Sequence, residues 1–158
     1  MRKVNEIVCP IDFSRPSNAA LKEAIGMAKQ YKAELILVSV VEPIVTGLML
    51  SVYTYQQYVK RLKNSARDQL KAMIAKYVPK GMKASAVVKT GDPADEIVRI
   101  AKSRRADLLV IATHGRRGWG HLIFGSVAEK VIRLAPCPVL VIHPPKKRKA
   151  TKKKRTRK

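Results

Sequence analysis

Leu108–Ile142 reads LLVIATHGRRGWGHLIFGSVAEKVIRLAPCPVLVI. It opens on the apolar run Leu108–Ala112, crosses a stretch rich in glycine and arginine, enters a helical pattern and closes on a second apolar run, Val139–Ile142. Short apolar runs dominated by β-branched residues suit strands buried on both faces. Val127, Val131, Ile132 and Ala135 share one side of a helix, and Pro136 and Pro138 prevent it from running into the last strand. Strand, helix, strand in that order is the unit of a parallel sheet.

The same alternation extends toward the N-terminus. Ile7–Ile11, Leu35–Val41 and Ala84–Val88 are further strand-like runs. Between them, Leu21, Ile25 and Ala28 mark a helix over about Ser17–Tyr31. Tyr55, Val59, Leu62, Ala66, Leu70, Met73 and Tyr77 mark a long second helix, and Ile97, Val98 and Ala101 a third. Asp92-Pro93 is a helix start, an N-cap followed by proline. Ser126-x-x-Glu129 spells a capping box for the fourth helix. The expected fold is α/β: a single doubly wound domain over residues 1–145, with a five-stranded parallel sheet and helices on both faces. Glu42–Thr54 is a longer connection, read as a flap or a short extra helix.

Composition bounds the partners. The chain has 158 residues, 46% of them hydrophobic, which is enough for a core without a disulfide or metal staple. Lys and Arg number 33 against 11 Asp and Glu, for a net charge of +22. Ten of those cations crowd into the thirteen residues Lys146–Lys158, KKRKATKKKRTRK, which leaves +12 on the body. That tail cannot bury apolar surface and reads as disordered. Cys9 and Cys137 are isolated, which excludes a disulfide framework and a CxxC site. His114, His121 and His143 lack metal-ligand spacing. No signal-peptide h-region opens the chain, and Leu35–Leu50 is broken by Glu42, Pro43 and Gly47, short of a membrane span. A cytoplasmic protein is expected.

Ligands of open α/β sheets sit beyond the carboxyl ends of the strands, where strand order reverses. With order 3-2-1-4-5 that point lies between strands one and four. Asp12 follows strand one, suited to a ribose hydroxyl, to a metal through water, or simply to capping a turn or the first helix. After strand four, Gly115, Gly118, Gly120 and Gly125 accompany Arg116 and Arg117 up to a helix start near Ser126. Glycines admit close backbone approach, and a helix N-terminus attracts anions. Gly120-x4-Gly125-Ser126 lacks the lysine of a P-loop, and no GxGxxG is present. Residues and spacing alone reach an anion near a helix N-terminus.

IATHGRRGWGHLIFGSVAEKVIRLAPCPVLVI, together with the opening IVCPIDFS and the segment GDPADEIVRIA, resembles the universal stress protein (UspA) family from about Val4 to His143. The resemblance implies the 3-2-1-4-5 sheet and a homodimer paired through the last strand, Val139, Leu140, Val141 and Ile142. It also implies ATP or AMP as ligand, with Mg²⁺. The nucleotide-binding pattern G-x2-G-x9-G-[ST] falls here on Ala112, Gly115, Gly125 and Ser126, so the first glycine is replaced by alanine. By the same resemblance Pro10, Ile11 and Asp12 follow strand one, with Asp12 on the ribose or metal side. Val40 lines the adenine pocket, His114, Gly115 and Arg116 surround the phosphates, and Gly125, Ser126 and Val127 complete the cradle.

The expected function is that of an ATP- or AMP-binding regulatory homodimer in a stress response. The alternative, suggested by Ala112, is a dimeric interaction module of the same family that has lost its nucleotide. Either reading is compatible with non-specific nucleic-acid contact through Lys146–Lys158. No Ser/His/Asp constellation or carboxylate pair is visible, so no enzyme beyond slow ATP hydrolysis is expected.

Overall fold

The computed structural model describes residues 3–42, 52–113 and 125–143. The elements alternate as β1 (Glu6–Pro10), α1 (Arg15–Tyr31), β2 (Glu34–Val41), α2 (Val52–Tyr77), β3 (Ala84–Thr90), α3 (Pro93–Ser103), β4 (Leu108–Ala112), α4 (Ser126–Leu134) and β5 (Val139–Ile142). They form one parallel sheet of order β3-β2-β1-β4-β5. The expected fold and strand order are those observed. The tail Lys146–Lys158 and most of the connection Glu42–Thr54 lie outside the described residues.

Side-chain alternation along the strands sorts the core into two layers. Ile7, Cys9, Leu35, Leu37, Leu108 and Val110 pack on Leu21 and Ala24 of α1 and Leu70 of α2. Val8, Ile36, Val38, Leu109 and Ile111 pack on Ile97 and Ala101 of α3 and Val131 of α4. β4 is buried along its whole length, whereas β5 is half-buried throughout. Burying each such Val, Leu or Ile contributes about 1.5–3 kcal/mol. The Cys9 thiol lies inside the first layer, and burial pushes its pKa up to about 12. It is therefore a packing residue and not a nucleophile at neutral pH.

Two helix starts differ from expectation. α1 begins at Arg15 because Ser14 caps it, its hydroxyl accepting the Ser17 N–H at 3.3 Å, with Pro16 in the first turn. Asp12 is thus not the helix cap. α4 begins one residue before the expected capping box, with Gly125 as N-cap and no side-chain cap bond. Ser126 is the first helical residue.

The amino end of the sheet is closed. The Asp107 carboxylate accepts the Asn5 N–H at 2.8 Å and the Glu6 N–H at 3.2 Å. Arg104 reaches Glu34 at 3.0 Å and Glu6 at 3.6 Å. Those bonds join the starts of β1, β2 and β4 and leave the carboxyl end as the open side.

Candidate functional site

At the carboxyl end, strand order reverses between β1 and β4. The β1–β2 ladder runs five pairs, from Glu6↔Glu34 to Pro10↔Val38, but the β1–β4 ladder only two, Ile7↔Leu108 and Val8↔Leu109. Pro10 explains where it stops. The Glu6 carbonyl accepts the N–H of Asp107, so even-numbered residues of β1 address the β4 side. Ile11 donates to the Val38 carbonyl at 2.7 Å, so odd-numbered residues address β2. Residue 10 should donate toward β4, and proline has no N–H. Pairing of β1 with β4 therefore ends before Pro10, at the switch point, where open α/β sheets have their crevice.

The chain leaves the crevice through a tight turn. Asp12 Oδ1 accepts the Ser14 N–H at 3.0 Å, and Phe13 between them takes φ 65°. A non-glycine residue in the left-handed region costs on the order of 1 kcal/mol and is held there by its surroundings. Asp12 is thus a turn former whose half-buried carboxylate stands at the end of β1. Ile11 and Pro10 are buried beneath it. Val40, near the end of β2, is half-buried against the α3–α4 layer.

Across the crevice, Ala112 ends β4 opposite Ile142. It is not among the non-glycine residues of positive φ, which are Phe13, Lys32 and Arg105 among the described residues. Its extended backbone suits alanine as well as glycine, so the departure from the glycine pattern creates no strain. Thr113 is 1% exposed and donates its N–H to the Ile142 carbonyl at 3.1 Å. Its own carbonyl accepts the Gly125 N–H at 2.7 Å. The chain therefore leaves β4 and enters α4 at one hydrogen bond. His114, Gly115 and Arg116 lie between these points, outside the described residues.

That bond also shifts the start of α4. It holds Gly125 in an extended conformation, φ −61° and ψ 147°, at the N-cap, where no side chain reaches the first turn. The N–H groups of Ser126, Val127 and Ala128 have no intrahelical acceptor, since the first such bond is Glu129 to the Gly125 carbonyl at 3.0 Å. These donors and the helix dipole form an anion-attracting end. Gly125 contributes by small size alone, because its N–H is engaged by Thr113.

Lys130, one turn along α4, takes no part in that end. Its Nζ lies 2.8 Å from Asp95 and 3.2 Å from Asp92 at the start of α3. The two carboxylates raise its pKa, Asp95 foremost. Asp92 is held below the usual carboxylate range, first by the Asp95 N–H and then by Lys130. This clamp between α3 and α4 escaped the sequence reading, because it requires the two helices to be neighbours. The donor gap at Pro10 was visible as a proline inside a strand run. Among the described residues no group of three His, Cys, Asp or Glu side chains could hold a metal ion. Nor is any helix among them long and apolar enough to cross a membrane.

Comparison with known proteins fits this geometry. The model of the universal stress protein family matches residues 3–143. Universal stress protein MJ0531 of Methanocaldococcus jannaschii is 37% identical over 142 residues, 90% of this chain and 84% of that protein. The solved structure of MJ0577, from the same organism, superposes with a TM-score of 0.81 at 25% identity, over 92% of this chain and 99% of that one. Two structures of lower identity share the fold. One is a universal stress protein in complex with cAMP (24% identical, TM-score 0.61), which covers 91% of this chain and 100% of that one. The other is the Archaeoglobus fulgidus protein in complex with dAMP (23%, TM-score 0.54), which covers 89% and 98%. With a family match across nearly its whole folded body and the sheet order the family resemblance implies, this chain belongs to the universal stress protein family.

Proposed function

We propose that this chain is a regulatory homodimer that binds an adenine nucleotide, ATP or AMP, across the ends of β1 and β4. The observation that carries this reading is the uncapped N-terminus of α4, set beside the switch point where β1–β4 pairing ends before Pro10. A phosphate there would accept the N–H groups of Ser126 and Val127, with Gly125 permitting close approach. His114, Gly115 and Arg116 would supply the rest of the phosphate surroundings. Asp12 would face the ribose, Val40, Pro10 and Ile11 the base, and Ala112 the floor between them. The cAMP and dAMP complexes of relatives support an adenine nucleotide as ligand class. Among the described residues Asp12 belongs to no group of three metal-ligating side chains, so Mg²⁺ would be held chiefly by the nucleotide's own phosphates, with Asp12 contributing through water. The nucleotide would act by biasing conformation or partner choice.

Dimerisation rests on β5. This edge strand is apolar, half-buried and paired on one side only, to β4. An apolar edge of that kind invites a second strand. Val139, Leu140, Val141 and Ile142 would form the interface. Lys146–Lys158, with ten cations and no aromatic residue, would add phosphate contacts to nucleic acid without reading bases. The test of the ligand is chemical. Protein purified without added nucleotide and then denatured should release adenine nucleotide, and sedimentation at tens of micromolar should give a dimer. An empty supernatant, with no binding of added ATP, would favour the nucleotide-free interaction module.

A further inference from the structure

α2 carries a second candidate site, on the other face of the sheet. Tyr55, Gln56, Val59, Lys60, Lys63, Asn64 and Arg67 follow one another along one side of the helix and, with Thr90 at the end of β3, line an open groove of about 450 Å³. Thr90 continues the alternation of Ala84, Ala86 and Val88, which pack on the α1–α2 layer. Val40 packs on the α3–α4 layer. Thr90 and Val40 thus lie on opposite faces of the sheet.

The chemistry of the groove is one-sided. Lys60, Lys63 and Arg67 form no ion pair among the described residues, no acid is among the residues that line the groove, and Arg67 donates only to Asn64 Oδ1 beside it, at 3.4 Å. Thr90 Oγ1 is screened from solvent and has no hydrogen-bond partner among the described residues. The screened oxygen closes the groove floor and lies out of a ligand's reach. The groove also holds an aromatic ring, Tyr55. Tyr53 does not line the groove, but it lies seven residues before Lys60 and fourteen before Arg67, on the side of the helix those two cations share, and it is 71% exposed. Cations interleaved with available aromatic faces suit a strand whose phosphates follow the charges and whose unpaired bases stack on the rings. Duplex DNA would use the charges and leave the rings idle.

We infer that the α2–β3 groove binds single-stranded nucleic acid, with Lys60, Lys63 and Arg67 on the phosphates and Tyr53 and Tyr55 against the bases. This site is independent of the nucleotide reading and of the tail, which supplies charge but no stacking surface.

The test uses the full chain, tail included, and anisotropy of fluorescent oligo-dT and oligo-U. Reversing three charges, K60E/K63E/R67E, should weaken binding at least tenfold and flatten the log–log salt slope by about 2, at roughly 0.7 per single-stranded phosphate. The matched control K22E/K29E/K102E makes the same charge change on exposed positions of α1 and α3 and should stay within about threefold. Tyr53→Ala and Tyr55→Leu should each weaken binding roughly fivefold or more with the salt slope unchanged. Equal losses in the control and the groove triple would overturn the site in favour of overall charge. Duplex bound as tightly as single strands, with both tyrosine variants neutral, would overturn it in favour of phosphate contact alone.

Discussion

All four helices begin at the carboxyl edge of this parallel sheet, and the first turns of two neighbours, α3 and α4, are built in opposite ways. α3 starts on Asp92, whose side chain accepts the Asp95 N–H at 3.0 Å, with Pro93 next and Asp95 and Glu96 in the first turn. Its positive end is filled with the protein's own carboxylates, and Lys130 balances them. α4 starts on Gly125 with no side-chain cap. The two N-termini are tied together through Lys130, so both are positioned, but only one is left for an outside anion. Where a helix end is self-satisfied it contributes stability, and where it is left open it offers binding.

Swapping features between the two ends should break the contrast. The largest effect is expected from Gly125→Asp, which gives α4 the cap that α3 has. ATP affinity should fall more than tenfold by calorimetry, while helix stability rises by a few tenths of a kcal/mol. Next is Gly91→Ala, at the turn that delivers Asp92. Gly91 has φ +144°, and a Cβ there would lie 3.3 Å from Glu96 Cγ. Chemical denaturation should show a loss of about 1–2 kcal/mol with ATP binding unchanged.

Asp92→Ala should cost about 1 kcal/mol by removing the α3 cap, again with binding unchanged. The pKa of Asp92 is lower in the folded protein than in the unfolded chain. Its stabilisation is therefore present above the ordinary carboxylate pKa of about 4 and is lost as pH falls through the depressed value. Asp92→Asn should remove that acid dependence from the stability profile. Smallest is Ser126→Ala. A capping serine would cost about 1 kcal/mol when replaced, but a residue already inside the helix should give no loss, or a gain of a few tenths. A measured loss near 1 kcal/mol would move the helix start back to Ser126.

Most of the architecture was legible because buried parallel strands announce themselves. Leu108–Ala112 and Val139–Ile142 were bounded correctly from their apolar runs alone, and β2 differs only by Glu34 at its start. The helix starts were less legible. Ser126 and Glu129 spell a capping box, but the Thr113–Gly125 hydrogen bond, which spans a chain reversal, decides where α4 begins. α1 was expected two residues late because the apolar spacing of Leu21, Ile25 and Ala28 marks the body of the helix, whereas Ser14 and Pro16 set its start. At the site, Asp12 was picked out by its position after strand one, Gly125 as a glycine before a helix start, and Ala112 through the glycine pattern of the family resemblance. Their roles needed backbone geometry: Asp12 as an acceptor in its own turn, Ala112 in unstrained extended backbone, Gly125 with its N–H engaged. Lys130 was invisible as a clamp, since its partners lie in another helix.

The central claim is that the open end of α4 receives a nucleotide although the first glycine of the binding pattern is Ala112. Calorimetric titration of the full chain with ATP and Mg²⁺, beside Ala112→Gly, tests it most directly. Because Ala112 sits at the end of β4 without positive φ, the account predicts one ATP per chain for both proteins, with affinities within about threefold. Saturable binding by Ala112→Gly and none by the natural chain would contradict it.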